Sequence, residues 1–243
     1  MLDPKVLVAI SCYNHGKFLE SSVESIISQS YKNLDICIIN DCSSKDQRVD
    51  EIIESLKQRD SRVRGITFNT NMGKWHCLNE AIRTSKAVLC TSHDADDISL
   101  PERIERQVKC LIATNSLHNL CGFYHCWSEE DIENFSISHK SNNELSVIPA
   151  DAVKELVIKG SKTPGINHYD TGNFETAGVT ALFYRQIWEM GIRFNPPNAG
   201  LRVLVSEDSD FNFRLTAMFG QTTILAEQQY CYRRNTSTNQ ELI

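Results

Sequence analysis

Apolar residues run unbroken through Val6-Leu7-Val8-Ala9-Ile10, and a second run, Ile36-Cys37-Ile38-Ile39, follows it. Continuous runs of this kind, as opposed to alternating ones, mark strands buried on both faces. Between them Phe18/Leu19, Val23 and Ile26/Ile27 recur at four-residue intervals, which predicts a helix with one apolar face. The alternation continues. Val49, Ile52/Ile53 and Leu56 mark a second helix, and residues 63–68 a third strand. Met72, Trp75, Leu78 and Ile82 mark a third helix, with Trp75 on the core face, and residues 87–91 a fourth strand. Strand and helix in strict alternation predict an α/β fold with a parallel sheet and right-handed crossovers.

Beyond Pro101 the pattern changes. Ile104, Val108 and Leu111 predict a helix, whereas residues 128–143 are polar, turn-rich and without periodicity. A helix is expected over 149–159, then an irregular stretch over 161–176 rich in Gly, Asn and Thr. Loops that long inside a compact domain usually carry function. Residues 179–184 read as a strand, Phe211, Leu215 and Met218/Phe219 as a helix starting near Ser206, and 222–232 as a closing strand. The polar tail from Asn235 reads as loose. No internal repeat or linker is evident. The expectation is one domain over 1–243 with two functional halves, about 1–98 and about 99–243.

Composition narrows the classes. A chain of 243 residues can bury one sizeable core. Its 25 basic and 31 acidic residues give a net charge of −6, which argues against a protein that tracks a nucleic-acid backbone. No run approaches the roughly 18 apolar residues of a membrane span, although peripheral membrane contact is left open. The opening Met1-Leu2-Asp3-Pro4-Lys5 lacks a signal-peptide pattern. Nine cysteines are scattered without a C-x-x-C pair, so a zinc site is not expected. Most sit in apolar runs as small buried hydrophobes, and a reducing cytoplasm is their simplest location.

The chemistry gathers where strands should end. Asp94, Asp96 and Asp97 place three carboxylates within four residues just after the fourth strand. Asp94 and Asp96 are two apart, so in extended chain they share a side while Asp97 points away. Hard oxygen ligands of this type suit Mg²⁺ or Mn²⁺ with substrate phosphates completing the shell. An acidic turn explains the same residues without any ligand. The ends of the first two strands, Ser11-Cys12-Tyr13-Asn14 and Asn40-Asp41-Cys42-Ser43, are polar as well, and ligands of parallel sheets bind at such ends. Neither a G-x-G-x-x-G nor a P-loop motif occurs; His15-Gly16-Lys17 offers a single glycine.

Taken together, Val8-Ala-Ile-Ser-Cys-Tyr-Asn-His15, Ile38-Ile-Asn-Asp-Cys-Ser-Ser-Lys-Asp46, Asn71-Met-Gly73 and His93-Asp-Ala-Asp-Asp-Ile-Ser-Leu-Pro-Glu-Arg-Ile104 resemble successive motifs of the GT-A glycosyltransferases, in particular the large inverting family 2. The resemblance is close over residues 5–112, then thins until Ser206-Glu-Asp-Ser-Asp-Phe-Asn-Phe-Arg214. It implies a Rossmann-like, mostly parallel sheet flanked by helices, and a UDP-sugar as donor. Carried over, Ser11 and Tyr13 line the base pocket and Asp41 accepts from the uracil N3–H. A Tyr ring stacks on a base and an ionised carboxylate accepts from N–H, so the chemistry fits. For Asp41 the plainer role is a turn or cap.

The same resemblance puts Asp94 on the ribose and Asp96 on the metal, with Lys74 as a further phosphate or ribose contact. Asp208, with Glu207 next, becomes the base that takes the acceptor's proton. Acids after a Ser N-cap are equally the ordinary way to start a helix. One departure stands out: the family's C-terminal histidine is missing, the last histidine being His168, and the matching region reads Tyr230-Cys-Tyr-Arg-Arg-Asn235. Arg233 or Arg234 is the candidate to neutralise the diphosphate in its place. The acceptor hydroxyl is that of a saccharide, a lipid-linked saccharide or another molecule, gripped by residues from about 162 to 183 that include Gly165, His168, Tyr169, Asp170 and Asn173. The alternatives are a non-catalytic nucleotide-sugar binder and a nucleotidyltransferase, for which the first strand end is a poor match.

Overall fold

A computed structural model of the chain describes residues 3–138, 144–153, 176, 178–197 and 206–234. Strands β1 (Val6–Cys12), β2 (Leu34–Asn40), β3 (Val63–Thr67) and β4 (Leu89–Asp94) alternate with helices α1 (Gly16–Ile27), α2 (Val49–Arg59) and α3 (Lys74–Thr84), as the periodicity predicts. The four strands pair in parallel in the order β3-β2-β1-β4, which is the GT-A arrangement expected from the motifs.

The central strand shows why its apolar run is continuous. Val6, Val8, Ile10 and Cys12 face Leu19, Val23 and Ile26 of α1, while Leu7 and Ala9 face Cys77, Leu78 and Ala81 of α3. Side chains alternate along a strand, so a strand covered on both sides has no position left for a polar residue. Helix α4 (Arg103–Thr114) adds Ile104, Val108 and Leu111 to the α1 side. On the α3 side, α7 (Glu207–Phe219) contributes Phe211 and Leu215.

The second half extends the same sheet. After β4 come β8 (Leu182–Tyr184), β6 (His118–Cys126), β9 (Thr222–Arg233) and β5 (Ile98–Ser99), with β7 (Val147–Ile148) on the flank of β9. β8 is antiparallel to both its neighbours, whereas β6 and β9 run parallel to each other. The sequence leaves β6 unassigned, although Leu120, Cys121 and Phe123 are apolar and buried. Its interspersed His118, Asn119 and Gly122 break the pattern that an isolated run would show.

Residues 128–143, expected to be irregular, contain helix α5 (Glu129–Ser138) instead. Local hydrogen bonds account for it. Asp131 Oδ2 accepts from the Trp127 and Ser128 amides at 2.8 and 3.0 Å, and Ser128 Oγ accepts from the Asp131 amide at 3.1 Å. This reciprocal cap nucleates a turn without any apolar periodicity. Phe135 then docks on Leu100, Cys126 and Cys231. A short helix α6 (Arg185–Glu189) follows β8. Of the helix expected over 149–159, residues 150–153 are helical and 154–159 lie outside the described residues, as do residues 161–175.

Cys126 and Cys231 form a disulfide between β6 and β9. For this pair the expectation of free thiols is wrong, because two cysteines 105 residues apart become neighbours through a strand pairing that the sequence does not reveal. The other seven cysteines are free, and six of them are buried. No helix among the described residues is long and apolar enough to cross a membrane.

His118 ties β6 to the second half's core. It is buried, with Nε2 2.9 Å from Asn212 Oδ1 on α7 and Nδ1 3.1 Å from Thr222 Oγ1 on β9. Burial pushes its pKa down to about 4, against the opposing hydrogen bond to Asn212. The folded value lies below the unfolded one, so the folded chain binds the proton less readily. Its contribution is intact above pH ~6.5 and is lost as pH falls toward about 4, amounting to about 3 kcal/mol. Urea unfolding at pH 7 and pH 4.5 on wild type and His118→Gln tests this. The wild type should lose more stability than the variant on acidification; equal losses would show that His118 is not the titrating group.

Candidate active site

The parallel strands end at one edge, and the polar residues flagged in the sequence meet there. Ser11 lies between Ile39 of β2 and Asp94 of β4. Tyr13, just beyond β1, is 41% exposed. Gly16, the single glycine of this strand end, serves packing. A Cβ there would lie 2.0 Å from the Gln47 carbonyl oxygen, so only glycine allows α1 to pass this close.

Asp41 is buried and both its oxygens are occupied. Oδ1 accepts from the Met72 amide at 2.7 Å and Oδ2 from the Gly73 amide at 2.9 Å. It therefore clamps the loop that leads into α3, where Gly73 has φ 84° and suits only glycine. A carboxylate oxygen holds two lone pairs, so Asp41 keeps capacity beyond these two amides, part of it facing the Cys77 thiol.

That clamp sets Lys74 at the first position of α3, and from there it reaches into a nest of acids. Its Nζ is 2.6 Å from Asp94 Oδ1 and 3.5 Å from Glu207 Oε1. Burial works against its charge, yet Asp94, Asp208 and Glu207 outweigh burial and hold the ammonium well above the usual lysine value. Asp94 is raised, first by burial and then by Asp96 and Asp208, with Lys74 opposing. Four residues from three separate segments thus converge: Lys74 at the start of α3, Asp94 at the end of β4, and Glu207 and Asp208 at the start of α7.

The acid turn splays its three carboxylates. Asp94 meets Lys74, Asp96 Oδ2 lies 3.7 Å from His15 Nδ1, and Asp97 turns inward. Asp97 is fully buried; Oδ2 accepts from the Tyr230 hydroxyl at 2.7 Å and Oδ1 from the Arg233 amide at 2.8 Å. Burial, then Asp96 and Asp94, push its pKa well above the usual carboxylate range.

At the other side of the cluster, Ser206 stands at the N-cap of α7 but does not cap it. Its hydroxyl is 2.5 Å from Asp208 Oδ1 and 2.6 Å from Ser209 Oγ, and Asp208 Oδ1 also accepts from the Ser209 amide at 2.7 Å. One carboxylate oxygen is thereby fixed. Oδ2 lies toward Gly178, where a Cβ would sit 3.2 Å from it.

Arg233 and Arg234, paired in the sequence reading, diverge. The Arg233 guanidinium lies 4.8 Å from the Phe18 ring on α1 and 3.4 Å from Glu129. Arg234 turns to the far side of β9, with Nε 2.9 Å from His125 Nδ1.

Two supporting residues lie within the motif of residues 93–104 but were given no role from the sequence. Arg103 is completely buried beneath the turn, donating from Nη1 to Ser99 Oγ at 2.9 Å, from Nη2 to Thr91 Oγ1 at 2.9 Å and to the Ser92 carbonyl at 3.1 Å. Its guanidinium lies 5.1 Å from the Tyr230 ring. His93 is buried beside it, and burial together with the Arg103 charge pushes its pKa well down. In a helical pattern a charged residue next to Ile104 reads as solvent-facing, so Arg103 is invisible without the fold.

A model of glycosyl transferase family 2 matches residues 7–186. The chain belongs to that family. Among the relatives of this family 2 chain is an uncharacterised glycosyltransferase of Methanocaldococcus jannaschii, 35% identical over 45% of this chain and 38% of the relative. EpsJ of Bacillus subtilis, also an uncharacterised glycosyltransferase, is 23% identical over 98% of this chain and 64% of its own length. The fold is shared with residues 1–349 of S. aureus TarS in complex with UDP-GlcNAc, at TM-score 0.67 and 13% identity over 98% of this chain and 61% of that one. It is shared as well with the mannosyltransferase PcManGT of Pyrobaculum calidifontis in complex with GDP-Man and Mn²⁺, at TM-score 0.62 and 18% identity over 98% and 59%. The family 2 chain therefore spans between about a third and two thirds of the length of these relatives.

Proposed function

We propose that the chain transfers a sugar from a nucleotide-diphosphate donor, a UDP-sugar, to an acceptor hydroxyl with inversion at the anomeric carbon. The observation that carries this reading is the convergence of Lys74, Asp94, Glu207 and Asp208 at the carboxyl edge of the parallel strands. Family membership and the UDP-GlcNAc complex of TarS support the donor class.

In this reading Ser11 and Tyr13 receive the base, with Asp41 contributing its remaining lone pairs. Asp94 and Lys74 face the ribose and phosphates. Asp208, anchored through Oδ1, takes the acceptor's proton on Oδ2 as the hydroxyl attacks, in a single displacement without a covalent intermediate. Of the two arginines, Arg233 is the one assigned to the diphosphate, since its guanidinium lies over Phe18 of α1.

A divalent cation fits only in one mode. Among the described residues no group of three or more His, Cys, Asp or Glu gathers as a metal cage. Asp94 already faces an ammonium, which leaves Asp96 as the principal carboxylate, and Mg²⁺ or Mn²⁺ sites of that kind draw their other ligands from substrate phosphates and water. Bound there, the ion supplies positive charge to the leaving diphosphate.

Calorimetric titration of UDP, with GDP as control, with and without Mn²⁺, on wild type and Asp96→Ala tests the donor assignment. UDP should bind in preference to GDP, and Mn²⁺ should strengthen it by tenfold or more in the wild type alone, as expected for about 1.4 kcal/mol. Metal-independent UDP binding would move the diphosphate contact to Arg233 and Lys74. Binding of neither nucleotide removes the uridine reading.

A further inference from the structure

Glycosyl transfer needs a second substrate, and from Asp208 a wall whose inner part is buried core leads along the same edge to an accessible end at His125, Tyr232, Arg234 and Trp127. Gly178 abuts Asp208, where a Cβ would lie 3.1 Å from Cγ. The next residue, Val179, packs with Phe123, Tyr230 and Tyr232 in one cluster. Phe123, His125 and Tyr232 meet edge to face with centroids 4.8 to 6.0 Å apart. Burial, then Asp97 and Asp94, raise the Tyr232 hydroxyl, which places this ring within the field of the acid turn.

Arg234 and Trp127 end the wall. The Arg234 guanidinium is 4.7 Å from the Tyr232 ring and 5.8 Å from the Trp127 ring, with Nη2 3.1 Å from His125 Nε2. Unlike Arg233, it has no ion pair with a carboxylate among the described residues. Trp127 is 63% exposed, yet its backbone is pinned. Its amide donates to Asp131 at 2.8 Å, and the preceding Cys126 carbonyl accepts from the Arg234 amide at 2.8 Å. A fixed, exposed indole offers a flat apolar face of the kind that the C–H side of a pyranose covers. A guanidinium without a carboxylate partner offers a fork for a phosphate or carboxylate.

We infer that this wall is the acceptor subsite and that it takes an anionic saccharide, with the sugar ring on Trp127 and the phosphate or carboxylate on Arg234. The assignment rests on the proposed glycosyl transfer. It gives Arg234 a role apart from the donor diphosphate, on the far side of β9 from Arg233.

The test titrates N-acetylglucosamine 1-phosphate, methyl glucuronide and neutral methyl glucoside against UDP-saturated wild type, Trp127→Ala, Trp127→Phe and Arg234→Gln. UDP is titrated alone against the same four proteins as the measure of an intact donor site and fold. Arg234→Gln should weaken the anionic probes about tenfold and leave the neutral one unchanged. Trp127→Ala should weaken charged and neutral probes alike by about fivefold, with Trp127→Phe retaining most of the binding. Preference for one anion identifies it as the phosphate or the carboxylate. Equal probe binding by all four proteins, or none by wild type, overturns the assignment. Weaker UDP binding by Arg234→Gln returns Arg234 to the donor and overturns it equally. Should UDP fail to bind wild type, the donor reading falls by itself, and the probe series without UDP still decides the wall.

Discussion

Asp208→Asn should lower the rate of sugar transfer by about 10²- to 10⁴-fold while leaving UDP binding unchanged. The substitution keeps the size of the side chain, and the amide oxygen accepts from Ser206 Oγ and the Ser209 amide as the carboxylate does. What it removes is the basic lone pair on the side of Gly178. UDP release from UDP-sugars, measured with and without acceptor, reports the loss. Glu207→Gln is the necessary companion, because Glu207 lies 3.5 Å from Lys74 and belongs to the same cluster. If Asp208→Asn keeps more than about a tenth of the activity and Glu207→Gln loses it, the base is Glu207.

Arg103→Met should cost about 3 kcal/mol of stability and lower Tm by roughly 5–10 °C. A methionine fills much of the same volume but leaves Ser99 Oγ, Thr91 Oγ1, Gln107 Oε1 and the Ser92 carbonyl without their shared donor in a buried site. Buried acceptors that lose their partner carry the desolvation cost in full. Arg103→Lys should recover only a small part, since an ammonium has three donors and no planar fork. Differential scanning calorimetry of both variants checks the expectation. An unchanged Tm in Arg103→Met would refute the view that this side chain organises the floor of the acid turn.

Much of the first half was legible because its signals are local. A strand such as Val6–Cys12 must be apolar throughout, and a helix such as α1 must repeat its apolar residues, whatever the rest of the chain does. The acid turn was legible for the same reason, as three carboxylates directly after an apolar run. Strand β6 was not, because its polar His118 and Asn119 are satisfied by Asn212, Thr222 and Thr223, which come a hundred residues later. The Lys74–Asp94 contact and the Cys126–Cys231 bond share this character. Each depends on two segments being brought side by side, and neither segment alone carries the information. Asp41 shows a subtler limit: its position was recognisable, but its hold on the Met72 and Gly73 amides follows from a loop conformation that no spacing encodes.

The inward turn of Asp97 has a consequence for how the protein is made. Its two hydrogen-bond partners, Tyr230 and the Arg233 amide, lie 133 and 136 residues further along the chain. The strands that carry Ser11, Asp41 and Asp94 are complete early in synthesis, and chains fold from the N-terminus as they emerge. Asp97 then waits on the ribosome without either partner, and the turn that bears Asp94 and Asp96 remains unlocked until β9 arrives. Among the described strands β9 comes latest in the chain and completes the turn, so a nascent chain that has not yet reached it holds the acidic residues without the arrangement that makes them useful.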